Sequence, residues 1–167
     1  MKSMRLVVIG LVAALAGVTW ATNSSASISM TLDTNLLDFR TMNPGESRDL
    51  SDKGVYHNQL SLTSTNNKVW YLKTNLVRPF TCGMNTIPAQ NFQWIVVSIG
   101  NGKGYVTNNR NIPNPFTTFP SLVYTSADSD NTGTQVDIQF RYLLTIPKNQ
   151  VAGGYDAVAR FTMIEQL

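Results

Sequence analysis

From Val136 to Ile146 the chain alternates. Val136, Ile138, Phe140, Tyr142, Leu144 and Ile146 fall on one parity, and Asp137, Gln139, Arg141 and Thr145 on the other. Successive strand side chains point to opposite faces, so this pattern predicts a long half-buried strand. A second run closes the chain, with Ala157, Ala159, Phe161 and Met163 opposed by Asp156, Arg160 and Thr162. Between them Pro147 ends the first strand, and Gly153-Gly154 permits the corner. Shorter alternations occur at 27–33 (SISMTLD), 36–42 (LLDFRTM), 60–64 and 122–125. The runs 69–75 (VWYLKTN) and 92–99 (FQWIVVSI) are apolar on both parities, which suits central strands.

Turn residues separate these runs. Asn43-Pro44-Gly45-Glu46 and Ser64 to Lys68 read as tight turns, and residues 78–90 and 100–120 read as irregular excursions broken by Pro and Gly. After residue 26 no stretch carries helical periodicity. About eight short strands at this spacing predict an all-β fold, an Ig-like antiparallel β-sandwich filling a single domain over residues 27–167.

The first 26 residues differ in kind. Lys2 and Arg5 precede a run from Leu6 to Trp20 without charge, and Ser24-Ser25-Ala26 offers a small-x-small cleavage site. This order predicts a signal peptide over residues 1–26, and the uncharged run is shorter than the roughly 20 residues that span a bilayer. The mature chain then begins at Ser27 and is secreted, to the periplasm or the extracellular surface.

Charge adds mainly exclusions. The whole chain carries 13 basic and 10 acidic residues, but without Lys2 and Arg5 the balance is 11 to 10. No basic cluster remains, which argues against nucleic acid and, once the leader is cleaved, against a membrane as partners. The single cysteine, Cys82, cannot form a disulfide within one chain.

Catalytic chemistry finds few groups. His57 is the only histidine and sits in a polar stretch, with no signature joining it to Cys82. Asp128, Asp130 and Asn131 have the oxygens of a calcium loop, yet these are ordinary turn residues and no closing Glu follows. The expectation is a protein without enzymatic activity, metal or cofactor. Aromatic residues are the best binding signal: Tyr71, Tyr105, Phe116 and Phe119 could stack on a glycan, three of them on the 100–120 excursion.

Two stretches carry a resemblance. Residues 37–45 (LDFRTMNPG) resemble the L-x-F-G-x-φ-x-P-G start, φ being apolar, of bacterial pilin-like and spore-coat-U-like secreted β-sandwiches. Residues 146–155 (IPKNQVAGGY) resemble their P-x-x-Q-x-A-G-x-Y entry into the last strand. Arg40 stands where that family has glycine, and the family's paired cysteines are absent. The resemblance implies a secreted structural subunit of a surface appendage or coat, associating with itself or with related surface subunits, with a periplasmic chaperone as a further implied partner. Such subunits assemble through β-strand edges, one chain lending a strand to a neighbour's sheet. Ile28, Met30 and Leu32 have the alternation of such a lent strand, and the same residues also suit the domain's own first strand. The alternative function is a monomeric adhesin or carbohydrate-binding module using Tyr71, Tyr105, Phe116 and Phe119.

Overall fold

The computed structural model describes the backbone of residues 4–12 and the full residues 27–166. The proposed cleavage site at 24–26 lies outside the described residues. Among the described residues thirteen strands are formed: β1 (Met4–Val12), β2 (Ile28–Leu32), β3 (Leu36–Arg40), β4 (Ser47–Leu50), β5 (Asn58–Ser64), β6 (Trp70–Cys82), β7 (Asn85–Thr86), β8 (Phe92–Gly100), β9 (Tyr105–Val106), β10 (Asn114–Pro115), β11 (Ser121–Thr125), β12 (Val136–Thr145) and β13 (Asp156–Glu165). They make a two-sheet sandwich. The first sheet runs β3-β1-β13-β6-β11-β9, with β7 on β6, and the second runs β10-β8-β12-β5-β2, with β4 beside β5 on the same edge of β12. Every pairing is antiparallel except β1 with β13.

The alternating runs become the two inner faces. In β12 every second residue from Val136 to Leu144 is buried, and in β13 Ala157, Ala159, Phe161 and Met163 are buried likewise. Aromatic rings fill the space between. Phe92 stacks on Phe116 with ring centroids 4.4 Å apart, lies 5.8 Å from Tyr142, and takes the edges of Phe39 and Phe80. Such contacts add to the area that the rings remove from water.

Several details depart from the sequence pattern. Residues 78–82 continue β6 rather than forming a loop, because bulges opposite Val158 shift the register around Pro79, which has no N–H to give a ladder. Strand β4 (SRDL) was not signalled by its polar residues. It forms because Tyr142 to Thr145 offer it a free edge, secured by the Ser47–Thr145 hydroxyl contact of 2.8 Å. The 69–75 run is central, between β13 and β11, yet only Trp70, Leu72 and Thr74 of it face the core. The 100–120 excursion is pinned at two points, since β9 pairs with β11 and β10 with β8.

Phe92 is fully buried and touches four other rings, so Phe92→Ala should cost about 3–5 kcal/mol of unfolding free energy. Urea titration followed by tryptophan fluorescence measures this, with an unchanged slope showing that only stability has altered.

Candidate assembly site

Strand β1 lies between β3 and β13 and pairs with both. Arg5 to Val12 run parallel to Asp156 to Met163 in unbroken register. On the other edge Met4 to Val7 run antiparallel to Arg40 to Leu36, with a bulge after the first pair. Among the described residues β3 has no other strand partner, so β1 is what joins it to the first sheet. Residues 4–12 belong to the segment that the sequence assigns to the leader. Their removal would leave a slot one strand wide, with its walls two strand spacings apart, about 9.6 Å.

Both walls are held by groups outside β1. Wall β13 is zipped to β6 from Asp156 to Glu165. Wall β3 buries Leu37 and Phe39 completely, the Phe39 ring meeting the rings of Phe80 and Phe92. Its carbonyls, and that of Thr34 just ahead of it, are also claimed by side chains from the second sheet and its loops. Arg48 donates to Phe39 O, Asn58 Nδ2 donates to Thr34 O at 3.4 Å, and His57 Nε2 donates to Leu36 O at 3.0 Å. A carbonyl can only accept, so the Leu36 contact fixes a proton on Nε2. His57 Nδ1 lies 2.6 Å from Asp52 Oδ1, and the histidine is buried. The histidine stays in its expected loop, just ahead of β5, but is buried there and braces β3.

The two stretches that carry the family resemblance meet at one end of this slot. Gly45 N–H donates to Ile146 O at 3.0 Å and Ile146 N–H to Glu46 O at 2.8 Å. Gly45 has φ +82°, a left-handed value that glycine adopts without strain. Tyr155 is buried and donates its hydroxyl to Val151 O at 2.8 Å, while Gln150 Nε2 donates to that hydroxyl at 2.7 Å. These bonds fix the corner from which β13 sets out. Arg40 takes φ +54°, held by its N–H to Asp38 Oδ1 at 2.8 Å, and ends β3. A side chain in that conformation carries strain that glycine at this position would avoid.

Beside β3 opens a cleft of about 740 Å³ lined by Thr34, Asp38, Arg40, Arg48, Asp52 and His57, among others. Its polar groups are largely committed to each other: Arg48 pairs with Glu46, Lys53 with Asp33 at 2.6 Å, and the His57 ring is hydrogen-bonded to Asp52. The hydrogen bonds of Asn43 N–H and the Arg48 guanidinium hold the Glu46 carboxyl below its usual range. This is an interlocked rim, with no base placed beside a free nucleophile. Cys82 has no pairing with His57. It packs against Gly153, where an added Cβ would lie 2.5 Å from its sulfur.

The remaining sequence candidates scatter. Ile28, Met30 and Leu32 lie in β2, paired with Leu60 to Ser64 and packed against the core. Tyr71 and Tyr105 both oppose Thr125, from either side, and so share the outer face of the first sheet. Phe119 is 80 % exposed near the opposite end of β11, in the loop that leads into it. Phe116 is unavailable to any ligand: it is 1 % exposed, turned inward by β10 and by its N–H bond to Phe92 O at 2.9 Å. No single aromatic platform results. The slot itself was missed by sequence reasoning, because alternation in 36–40 and 156–165 marks buried strands without naming their neighbour.

The acidic cluster proves to be architectural. Asp130 is fully buried, in a 3₁₀ turn at Asp128–Asn131. Its oxygens accept from the N–H groups of Lys103 (2.9 Å), Gly104 (3.0 Å) and Ala127 (3.0 Å) and from the Tyr124 hydroxyl (2.6 Å). Burial pushes the carboxyl upward, but the Tyr124 hydroxyl and the three N–H groups outweigh it and hold the group below its usual range. Burial, and then the Asp130 carboxylate, push the Tyr124 phenol up. Among the described residues no group of three His, Cys, Asp or Glu side chains is arranged to hold a metal, and no helix is long and apolar enough to cross a membrane. No protein-family model matches the chain, and a search of curated proteins finds no relative.

Asp130→Asn keeps one accepting oxygen and turns an amide N–H₂ toward donors, so it should cost about 2–3 kcal/mol. The pH dependence has a definite sign. With its folded pKa lowered, Asp130 stabilises fully above the unfolded carboxyl value of about 3.9 and loses that contribution as pH falls through the lower folded value. Wild-type stability should therefore drop more steeply than that of the variant below about pH 4, as measured by denaturant titrations at stepped pH.

Proposed function

We propose that the protein is a secreted structural subunit of a bacterial surface appendage or coat, and that it assembles by taking a β-strand into the slot between β3 and β13. One observation carries this reading. The strand that completes the first sheet comes from residues 4–12, inside the segment with the composition of a cleavable leader. Once the leader is gone, β13 presents the edge that paired with Arg5 to Val12, and β3 presents the edge that paired with Met4 to Val7. Unpaired backbone groups beside a core are costly, and a sheet edge of this length is a template for another chain. Main-chain bonds would supply affinity, and alternate side chains facing Ala157, Ala159, Phe161 and Met163 would supply register.

The adhesin alternative draws less support. Of its four aromatics one is in the core, one stands apart, and only Tyr71 and Tyr105 share a face.

The test uses the full chain with a protease site placed within residues 13–26. After folding and cutting, a labelled synthetic peptide spanning Met4–Val12 should replace the cut strand at one per chain. Amides of β13 and β3 should lose hydrogen-exchange protection when the slot is emptied and regain it when the peptide binds. A cut chain that sheds residues 4–12, takes up no peptide and keeps both walls protected would show that the slot closes on itself, and strand insertion would be abandoned.

A further inference from the structure

Resting on that reading, we infer that this chain accepts a strand and does not lend one, so that its partner is a different polypeptide and the chain ends the assembly it joins. The argument starts from what the mature N-terminus is already doing. Ser27, the first residue after the proposed cleavage, donates its N–H to Thr65 Oγ1 at 3.0 Å and accepts from Thr65 N–H at 3.0 Å through its carbonyl. From there all five residues of β2 are in register with β5, from Ile28 opposite Ser64 to Leu32 opposite Leu60. Asp33 then ties down the far end. Its N–H donates to Gln59 O at 3.1 Å, its Oδ1 accepts from Gln59 N–H at 2.8 Å, and its Oδ2 binds Lys53 at 2.6 Å.

A lent strand has to be free before it is lent. Residues 27–33 are the only part of the mature chain ahead of β3 with an alternating pattern, and they are bound from first to last. Withdrawing them would turn β5 into an edge and uncover Leu60 and Leu62, which are at most 1 % exposed. It would also pull Ile28, Met30 and Leu32 off the core. The chain would then have lost a strand from the second sheet in order to complete the first sheet of a neighbour. One missing strand would be exchanged for another, with no net gain in pairing.

The register further describes the strand that would be accepted. It runs parallel to β13 and antiparallel to β3, over about the nine residues of β1. The position opposite Phe161 is taken by Gly10 in this chain, and Phe161 is completely buried. The partner of stated chemistry is therefore an extended segment of another polypeptide, apolar at the positions opposite Ala157, Ala159 and Met163 and small at the position opposite Phe161.

The experiment uses the same protease-cut full chain in two forms, both with Cys82→Ser. One form also carries Ser29→Cys and Thr63→Cys, an in-register pair whose disulfide locks β2 to β5. Both forms should bind the labelled Met4–Val12 peptide with affinities equal within about twofold, and each should remain a single chain plus one peptide in light scattering at every concentration. In that peptide, replacing the glycine by leucine should weaken binding at least tenfold. Oligomers in either form overturn the inference: if locking abolishes them, residues 27–33 are the lent strand, and if they persist, another segment of this chain is. Should neither form take the peptide, it is the slot itself that fails, a result separate from both.

Discussion

The fold depends on backbone pairing between β3 and the rest of the first sheet, and a nine-residue strand from the head of the chain supplies it. A sandwich needs both sheets wide enough to cover one core, and each inner strand needs partners on both edges. Here β13 receives one partner from β6 and the other from β1, and β3 reaches the sheet only through β1. The second sheet has no such dependence. Its strands β8, β12, β5 and β2 are contiguous and antiparallel, and all lie within residues 27–166. One half of the sandwich is thus complete within residues 27–166, while the other half is completed by a strand from residues 4–12.

Both neighbours of β1 are also held by contacts outside it. If β3 were free to slide toward β13 it could pair with it directly and close the slot. The contacts of Leu36, Phe39 and Thr34 carbonyls with His57, Arg48 and Asn58 oppose that movement, because each side chain is anchored elsewhere. Asn58 also accepts from the buried Tyr142 hydroxyl at 2.9 Å, and His57 donates its backbone N–H to Phe140 O at 2.7 Å. A slide of β3 would break side-chain bonds to the second sheet and lift Phe39 from an edge-to-face cluster of rings. Breaking them leaves buried polar groups unpaired, which costs about 1–3 kcal/mol for each group. The position of β3 relative to β13 is therefore held by the second sheet as well as by β1.

Much of this was legible in the sequence, and the limits of legibility have physical causes. Two-residue alternation named β2, β3, β12 and β13 nearly to the residue, because burial on one face dictates that pattern whatever the neighbours are. It could not name β4, whose polar residues pair for backbone reasons at a free edge. Nor could it extend β6 through Pro79, where a bulge removes the need for the missing N–H. His57 is the loop residue its polar neighbours suggest, but its burial comes from distant strands and could not be read from those neighbours. The slot was illegible for a deeper reason. A strand pattern tells which side chains face a core, and says nothing about which strand lies alongside; apolar residues at 6–12 suit a leader and a sheet strand equally well.

The slot also has a direction built into it. Met4 to Val7 of β1 face β3, while Arg5 to Val12 face β13, so the first part of the strand is gripped on both edges and the last part on one. The difference arises at the two ends of β3. Arg40, in its left-handed conformation, ends the wall opposite Met4, and the chain beyond Leu36 turns back toward β2. Strand β1 is therefore single-edged beside Thr162 and Met163 and double-edged beside Asp156 to Val158. Pairing along β13 alone holds weakly, since half of the bonds of an inner strand are missing there. Each further residue toward Arg40 then adds a second set of bonds. The pairing of β1 is thus concentrated at the end bounded by the turn of residues 43–45 and the corner before β13, where the two motif stretches meet. Of the residues at that end only Arg40 pairs with β1, while Gly45 and Tyr155 fix the turn and the corner beside it.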